Sequence, residues 1–279
     1  VRSGAAASMP GMMDTILNLG LNQAVLQGII DKTGNERFAW DAYRRLCNMF
    51  GGVVMGIDHE KFEHAMTRVK ERHGVKLDTE LDVTALKELC HAYHDIYQME
   101  TGKPFPQNPW DQLYAAIEAV LRSWNNERAN TYRKLNRITG LLGTAVNIQA
   151  MVFGNLGDTS GTGVCFTRNP ATGENKFYGE FLMNAQGEDV VAGIRTPQTI
   201  DELARVMPKN YAELLKIRKT LELHFRDIQD LEFTIENNTL YLLQTRNGKR
   251  TAFSAVKVAV DMVREKLITR DEAIRRVAP

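Results

Sequence analysis

The 279-residue sequence is short of the features that mark several protein classes. It has three cysteines, Cys47, Cys90 and Cys165, far apart and odd in number. They fit neither a disulfide framework nor a zinc-ligand spacing, so a reducing compartment and structural thiols are expected. No apolar run reaches the roughly 18 residues of a membrane span, and no signal-peptide pattern opens the chain. Neither sign of charge is in excess, with 35 Lys and Arg against 34 Asp and Glu for a net +1. That balance gives no electrostatic reason to expect nucleic acid or an anionic membrane as a partner. Internal repeats, low-complexity tracts and Pro- or Ser-rich linkers are missing too. What is there, 43% hydrophobic and 25% charged residues, is ordinary globular composition. The length suits two domains, or one domain with a large insertion. The expected setting is the cytosol. Because the chain opens on Val1 and not on an initiator Met, a lost organellar targeting segment stays open.

Hydrophobic spacing predicts helices throughout Asn22 to Pro106, with Phe38, Ala39, Tyr43 and Leu46, then Phe62, Met66 and Val69, then Leu86, Leu89, Tyr93 and Tyr97 recurring at helical intervals. Asp82 or Thr84 caps the last of these, and Gly102-Lys103-Pro104 stops it. A further helix, Pro109 to Trp124, places Trp110, Leu113, Ile117, Val120 and Leu121 on one side, and another runs from Asn126 to Asn136. After that the pattern changes. G-T-A-V-N-I-Q-A-M-V-F-G, Gly143 to Gly154, reads as a strand. V-C-F-T-R-N and K-F-Y-G-E-F-L-M-N follow as short strands separated by turn signals, which predicts an antiparallel sheet. Two helices, about Thr199 to Val206 and Tyr211 to Phe225, precede a hairpin from Asp230 to Arg246 and a helical tail. The expected class is α+β, with one sheet that begins near Val1 and resumes after Gly143, and an all-helical insertion between.

Three stretches carry chemistry. V-R-S-G-A-A-A-S-M-P-G-M-M-D-T sets Arg2 beside a run of small residues, which lets a bulky anion approach the backbone. N-L-G-D-T-S-G-T-G, Asn155 to Gly163, is no P-loop, because it lacks GxxxxGK[ST] and opens no helix. It reads either as a glycine-rich hairpin over phosphates or as a flexible surface turn. The closing hairpin is more informative. Pairing centred on Asn238 sets Glu232 opposite Gln244 and Asp230 opposite Arg246, one face bearing two carboxylates, an amide oxygen and a guanidinium. That donor set suits Mg²⁺, with a cation beside it for a phosphate. Tyr241, Leu243 and Thr245 take the opposite parity. A tighter turn at Asn237-Asn238 shifts the register by one and sends Gln244 to the wrong face. His91 and His94 share a helix face without a further ligand, so a metal is not expected there.

These motifs resemble the pyruvate, phosphate dikinase family. The resemblance runs nearly end to end through V-R-S-G-A-A-A-S-M-P-G-M-M-D-T-I-L-N-L-G, G-T-A-V-N-I-Q-A-M-V-F-G-N, T-S-G-T-G-V, F-T-R-N-P-x-T-G-E, N-A-Q-G-E-D-V-V-A-G-I-R-T-P and D-x-E-F-T-I…L-Y-L-L-Q-T-R-N-G-K-R. It implies an ATP-grasp-like nucleotide-binding subdomain (residues 1–21 and 137–250), a helical insertion (22–136) and a helical tail (251–279). The family interconverts ATP, phosphate and pyruvate with AMP, pyrophosphate and phosphoenolpyruvate through a histidine on a swivelling domain. That domain, the pyruvate-binding barrel and an N-terminal segment have no counterpart here. The resemblance therefore implies a fragment of a phosphotransferase, not competent for the full reaction, from an enzyme that is a homodimer.

Residue by residue, it gives Arg2 and Arg246 catalytic roles at the phosphates, and Ser8, Gly11 and Asp14 a place in the closing loop. Thr162 and Gly163 fall in the second loop, Asp230 lies at the nucleotide, and Glu232 and Gln244 bind Mg²⁺. Arg128 and Glu180 fall where the swivelling domain docks. Phosphoenolpyruvate synthase and glucan-type dikinases share this plan, but M-P-G-M-M-D-T favours the first family. A nucleotide-binding module without activity is the other alternative.

Overall fold

The computed structural model describes residues 1–191 and 195–277. Part of the N-A-Q-G-E-D-V-V-A-G-I-R-T-P motif (192–194) and the last two residues of the tail lie outside it. Two compact units divide after Met151.

In the first unit six helices, α1 (Gln23–Thr33), α2 (Glu36–Met49), α3 (His59–His73), α4 (Val83–Thr101), α5 (Pro109–Ser123) and α6 (Glu127–Leu135), each begin on an Asn or Asp. The caps are Asn22, Asn35, Asp58, Asp82, Asn108 and Asn126, whose side chains accept a first-turn backbone N–H. Such oxygens satisfy amides that the helix itself leaves open. Gly34, Gly74 and Gly102 close α1, α3 and α4 in the left-handed conformation, which costs glycine least. Tyr43, Leu46, Phe62, Met66, Leu86, Leu89 and Tyr93 pack into one core, and Phe38 is buried as well. The face of α5 differs from expectation. Trp110 and Leu121 are exposed, and Gln112, Ala116, Ala119, Val120 and Ser123 are buried. Small residues admit a close approach. Gln112 then accepts from Gly20 N at 2.8 Å and donates to the Leu21 and Pro106 carbonyls.

Ile16 and Leu21 belong to this helical core. Strands β1 (Arg2–Gly4) and β2 (Ala145–Asn147) pair with each other in a two-stranded antiparallel sheet of their own. Thus residues 1–21 and 137–151 go with the helices, and the single continuous sheet expected from the sequence is two sheets. The Gly143 to Gly154 strand is cut to three residues because β1, its partner, is only three residues long.

The second unit holds a five-stranded antiparallel sheet in the order β5-β4-β3-β6-β7. Its elements are β3 (Gly161–Phe166), β4 (Tyr178–Met183), α7 (Gly187–Val191), β5 (Gln198–Thr199), α8 (Leu203–Val206), α9 (Pro208–Phe225), β6 (Gln229–Glu236), β7 (Thr239–Asn247), α10 (Ala252–Arg264) and α11 (Arg270–Arg276). One sheet face packs Cys165, Phe181, Leu231, Phe233 and Ile235 against Leu203, Met207 and Leu214 of the helical layer. The tail is ordered into this unit through Arg168, which is fully buried. Its guanidinium forks onto Glu222 (2.8 and 2.9 Å) and onto Glu265 (2.9 and 2.5 Å). Burial alone would lower the Arg168 pKa; the two carboxylates reverse that and raise it.

In the helical unit His94 stacks on Phe105, its Nε2 3.2 Å from the Tyr43 hydroxyl and 3.4 Å from Cys47 Sγ. Burial lowers its pKa, His91 adds to that effect, and Asp95 opposes it. The unfolded chain then takes up a proton before the folded one does. Stability should therefore fall as pH drops through the ordinary histidine value near 6.5 and level off below the folded-state value. Urea midpoints measured across that window should show this slope, and His94→Gln should flatten it.

Candidate functional site

The hairpin β6–β7 resolves the register question by using both options. Its turn is the two-residue Asn237-Asn238, both with positive φ (47° and 64°), the backbone of a type I′ turn. From that turn Glu236 pairs with Thr239, Ile235 with Leu240, Thr234 with Tyr241 and Phe233 with Leu242. Continued unchanged, this register would send Gln244 to the buried face. A β-bulge at Leu243, between the Phe233 and Glu232 pairs, inserts one residue. Beyond it Glu232 faces Gln244, Leu231 faces Thr245 and Asp230 faces Arg246. The carboxylates, amide and guanidinium therefore do share a face. Tyr241, expected on the other face, joins them because it lies on the turn side of the bulge.

On that face Arg246 Nε lies 3.1 Å from Asp230 Oδ2, and Nη2 lies 3.0 Å from the same oxygen and 2.5 Å from Glu232 Oε1. Burial raises the Asp230 pKa, Arg246 opposes this, and Glu232 adds to the rise. Among the described residues no three His, Cys, Asp or Glu side chains converge as a metal cage. Glu232 and Gln244 nevertheless fit Mg²⁺ as a pair of hard oxygens. That ion commonly takes one or two protein ligands and fills the rest of its octahedron with phosphate oxygens and water.

Thr162 and Gly163 are not in a loop. They belong to β3, the central strand, paired on one side with Leu182 and Phe181 and on the other with Thr234 and Phe233. The Thr162 hydroxyl is buried and donates to the Phe233 carbonyl at 3.0 Å. Gly163 is glycine because a Cβ there would meet the Phe233 ring and the Glu180 carbonyl oxygen at 2.6 Å. The loop proper is Asn155 to Ser160, with the single glycine Gly157, and it is tied to the hairpin turn. Asn237 N donates to Ser160 Oγ at 3.0 Å and Asn238 N to the Thr159 carbonyl at 2.9 Å. Glu180 is exposed in β4 and aligns with Val164 of β3, which aligns with Glu232, so it shares the polar face.

In the first unit, Val1 and Ile16 exchange two backbone hydrogen bonds at 2.8 Å, and Arg2 pairs with Asn147 and bridges to Thr15. Between these anchors runs the small-residue loop with Ser8 half-buried and Met9 buried. Gly11 is exposed at φ 69°, with open space around it. Asp14 N donates to Ser123 Oγ at 3.1 Å. Arg128 pairs with the Asp14 carboxylate and donates to the Met12 carbonyl at 3.1 Å, which also accepts from Asn126 at 3.0 Å. Arg128, read from the sequence as a docking residue, is thus engaged with the loop. Ser123 and Asn126 were legible only as helix-end residues. Their hold on the loop depends on tertiary packing.

The model of the pyruvate phosphate dikinase AMP/ATP-binding domain matches residues 1–205 and 201–267. The chain belongs to that family. It is 60% identical over all 279 residues to pyruvate, phosphate dikinase 1, chloroplastic, of Arabidopsis thaliana, covering 29% of that protein. To the chloroplastic pyruvate, phosphate dikinase of Mesembryanthemum crystallinum and to pyruvate, phosphate dikinase 2 of Zea mays it is 57% identical, covering 29% and 32% of them. The chain therefore spans about a third of the length of these relatives. No described helix is long and apolar enough to cross a membrane.

Two outcomes follow from this geometry. Gly163→Ala should cost about 1–3 kcal/mol, as overpacking at a filled site does, seen as a lower urea midpoint. Arg128→Ala should speed amide hydrogen exchange at Met12 to Asp14 and leave the β3 and β6 amides unchanged.

Proposed function

We propose that the chain binds ATP with Mg²⁺ and donates phosphoryl groups to a histidine on a separate swivelling domain of a longer dikinase. In that enzyme ATP, phosphate and pyruvate interconvert with AMP, pyrophosphate and phosphoenolpyruvate. The observation that carries the reading is the polar hairpin face, with Glu232 beside Gln244 and Asp230 beside Arg246. Family membership supports the nucleotide as ligand. The ATP-grasp-like description of the fold, the tail as a hinge toward the histidine domain, and docking at Glu180 and Arg128 belong to the same proposal.

Phosphoryl transfer needs little covalent help from protein, so catalysis here is positioning plus charge stabilisation. Glu232 and Gln244 would hold the metal, with Asp230 at the nucleotide. When bound, Mg²⁺ would supply charge neutralisation at the phosphates. Arg2 and Arg246 would bear on the phosphate oxygens. Ser8, Gly11 and Asp14 would belong to the loop that closes over them. Ala5 to Ala7 have no bulk to fend off phosphates, and Gly11 supplies the pivot. Closure would exclude water that otherwise competes with the histidine acceptor. Thr162 and Gly163, placed in a strand by their pairing, would act by supporting Glu232 through Val164 and Thr234, not by wrapping the phosphates.

Calorimetric titration with ATP, with and without Mg²⁺, tests this. The wild-type chain should bind ATP more tightly when Mg²⁺ is present, and Glu232→Ala should lose that dependence. Absence of ATP binding, or metal dependence untouched by the substitution, would overturn the assignment.

A further inference from the structure

The Arg246 guanidinium occupies one of the two carboxylate oxygens that Glu232 has to offer a metal. Its Nη2 lies 2.5 Å from Glu232 Oε1, and the same nitrogen lies 3.0 Å from Asp230 Oδ2. A divalent ion on Glu232 would sit against a fixed cation and share its carboxylate. Such a pair of positive charges repels, and each weakens the other's hold on the oxygen. The contact is half-buried, with the Arg246 and Glu232 side chains keeping 20% and 31% of their exposure, so solvent still reaches both groups. A guanidinium forks onto phosphate as readily as onto carboxylate. The arginine therefore has a second partner available when a polyphosphate arrives, and the carboxylate has one when the arginine leaves.

We propose that Arg246 is a placeholder for the divalent cation: the hairpin takes metal on Glu232 only when a polyphosphate draws the guanidinium away. This rests on the nucleotide-site reading and adds an order to it, in which metal and anion enter as a coupled pair. The coupling is reciprocal, so removing the guanidinium must strengthen binding of the metal by itself.

The test uses Mn²⁺ without nucleotide, read from the loss of the free-ion electron paramagnetic resonance signal. Arg246→Gln should bind Mn²⁺ roughly 5–150-fold more tightly than the wild-type chain, the usual range of such couplings. Glu232→Gln in the same background should remove the gain. Equal Mn²⁺ affinity in wild type and Arg246→Gln overturns the proposal, as does a gain that survives loss of Glu232. A second measurement needs no variant. In the ¹⁵N spectrum of the wild-type chain, the Arg246 Nε resonance should move with metal-free tripolyphosphate and stay in place with Mg²⁺ alone. Movement with Mg²⁺ alone, or none with tripolyphosphate, overturns it. ATP titration judges the nucleotide reading separately, so failure of the placeholder idea is distinguishable from failure of that reading.

Discussion

A charged group with no water around it fixes the geometry of the second unit. Arg168 is fully buried just past the end of β3, and only the two carboxylates, Glu222 from α9 and Glu265 from the end of α10, make that tolerable. Loss of one partner from such a group typically costs about 3–5 kcal/mol, because the remaining charge stays behind unpaired. The central strand, the long helix α9 behind the sheet and α10 are thus held in mutual position by one side chain. With α9 fixed on one side, the apolar layer of Leu231, Phe233 and Ile235 faces it. The other face of the same strands is left for Asp230, Glu232, Gln244 and Arg246.

The two units hold their candidate groups in different ways. The hairpin groups ride on a sheet whose amides are paired along both sides of β3 and β6. The small-residue loop has anchors at its ends, at Val1–Arg2 and at Met12 to Ile16, and a glycine with open space between. Rigid placement suits groups that must hold an ion within tenths of an ångström. A tethered loop suits groups that must admit a ligand and then cover it.

Local grammar was what the sequence made legible. The ends of α4 were visible because the Asp82 oxygen caps an orphan amide and Gly102 accepts positive φ. Alternation along D-L-E-F-T-I put Asp230 and Glu232 on one face, and pairing centred on Asn238 set them opposite Arg246 and Gln244, a register that holds only beyond the bulge. What could not be read depended on partners distant in the chain. The bulge at Leu243 leaves no composition signal. The buried face of α5 is set by Gln112 serving the backbone of Gly20 and Leu21, so its apolar stripe was misleading. Thr162 and Gly163 looked like loop because glycines cluster there, whereas Gly163 is small to make room for Phe233. Burial of Arg168 needs two carboxylates more than 50 residues away to be seen.

The bulge also makes the hairpin sensitive to length in a way that side-chain chemistry alone does not convey. Each residue between Asn238 and Gln244 counts toward which side of the sheet the next one meets. An in-frame loss of the single codon for Leu243 would take out the extra residue itself: Leu242 would still face Phe233, Gln244 would still face Glu232, and the ladder would run on without a bulge. One residue more in the same stretch would do the opposite. It would turn residues 244 to 247 over, driving an amide and a guanidinium into the apolar layer and lifting Thr245 out. The segment therefore tolerates loss of its extra residue better than gain of another.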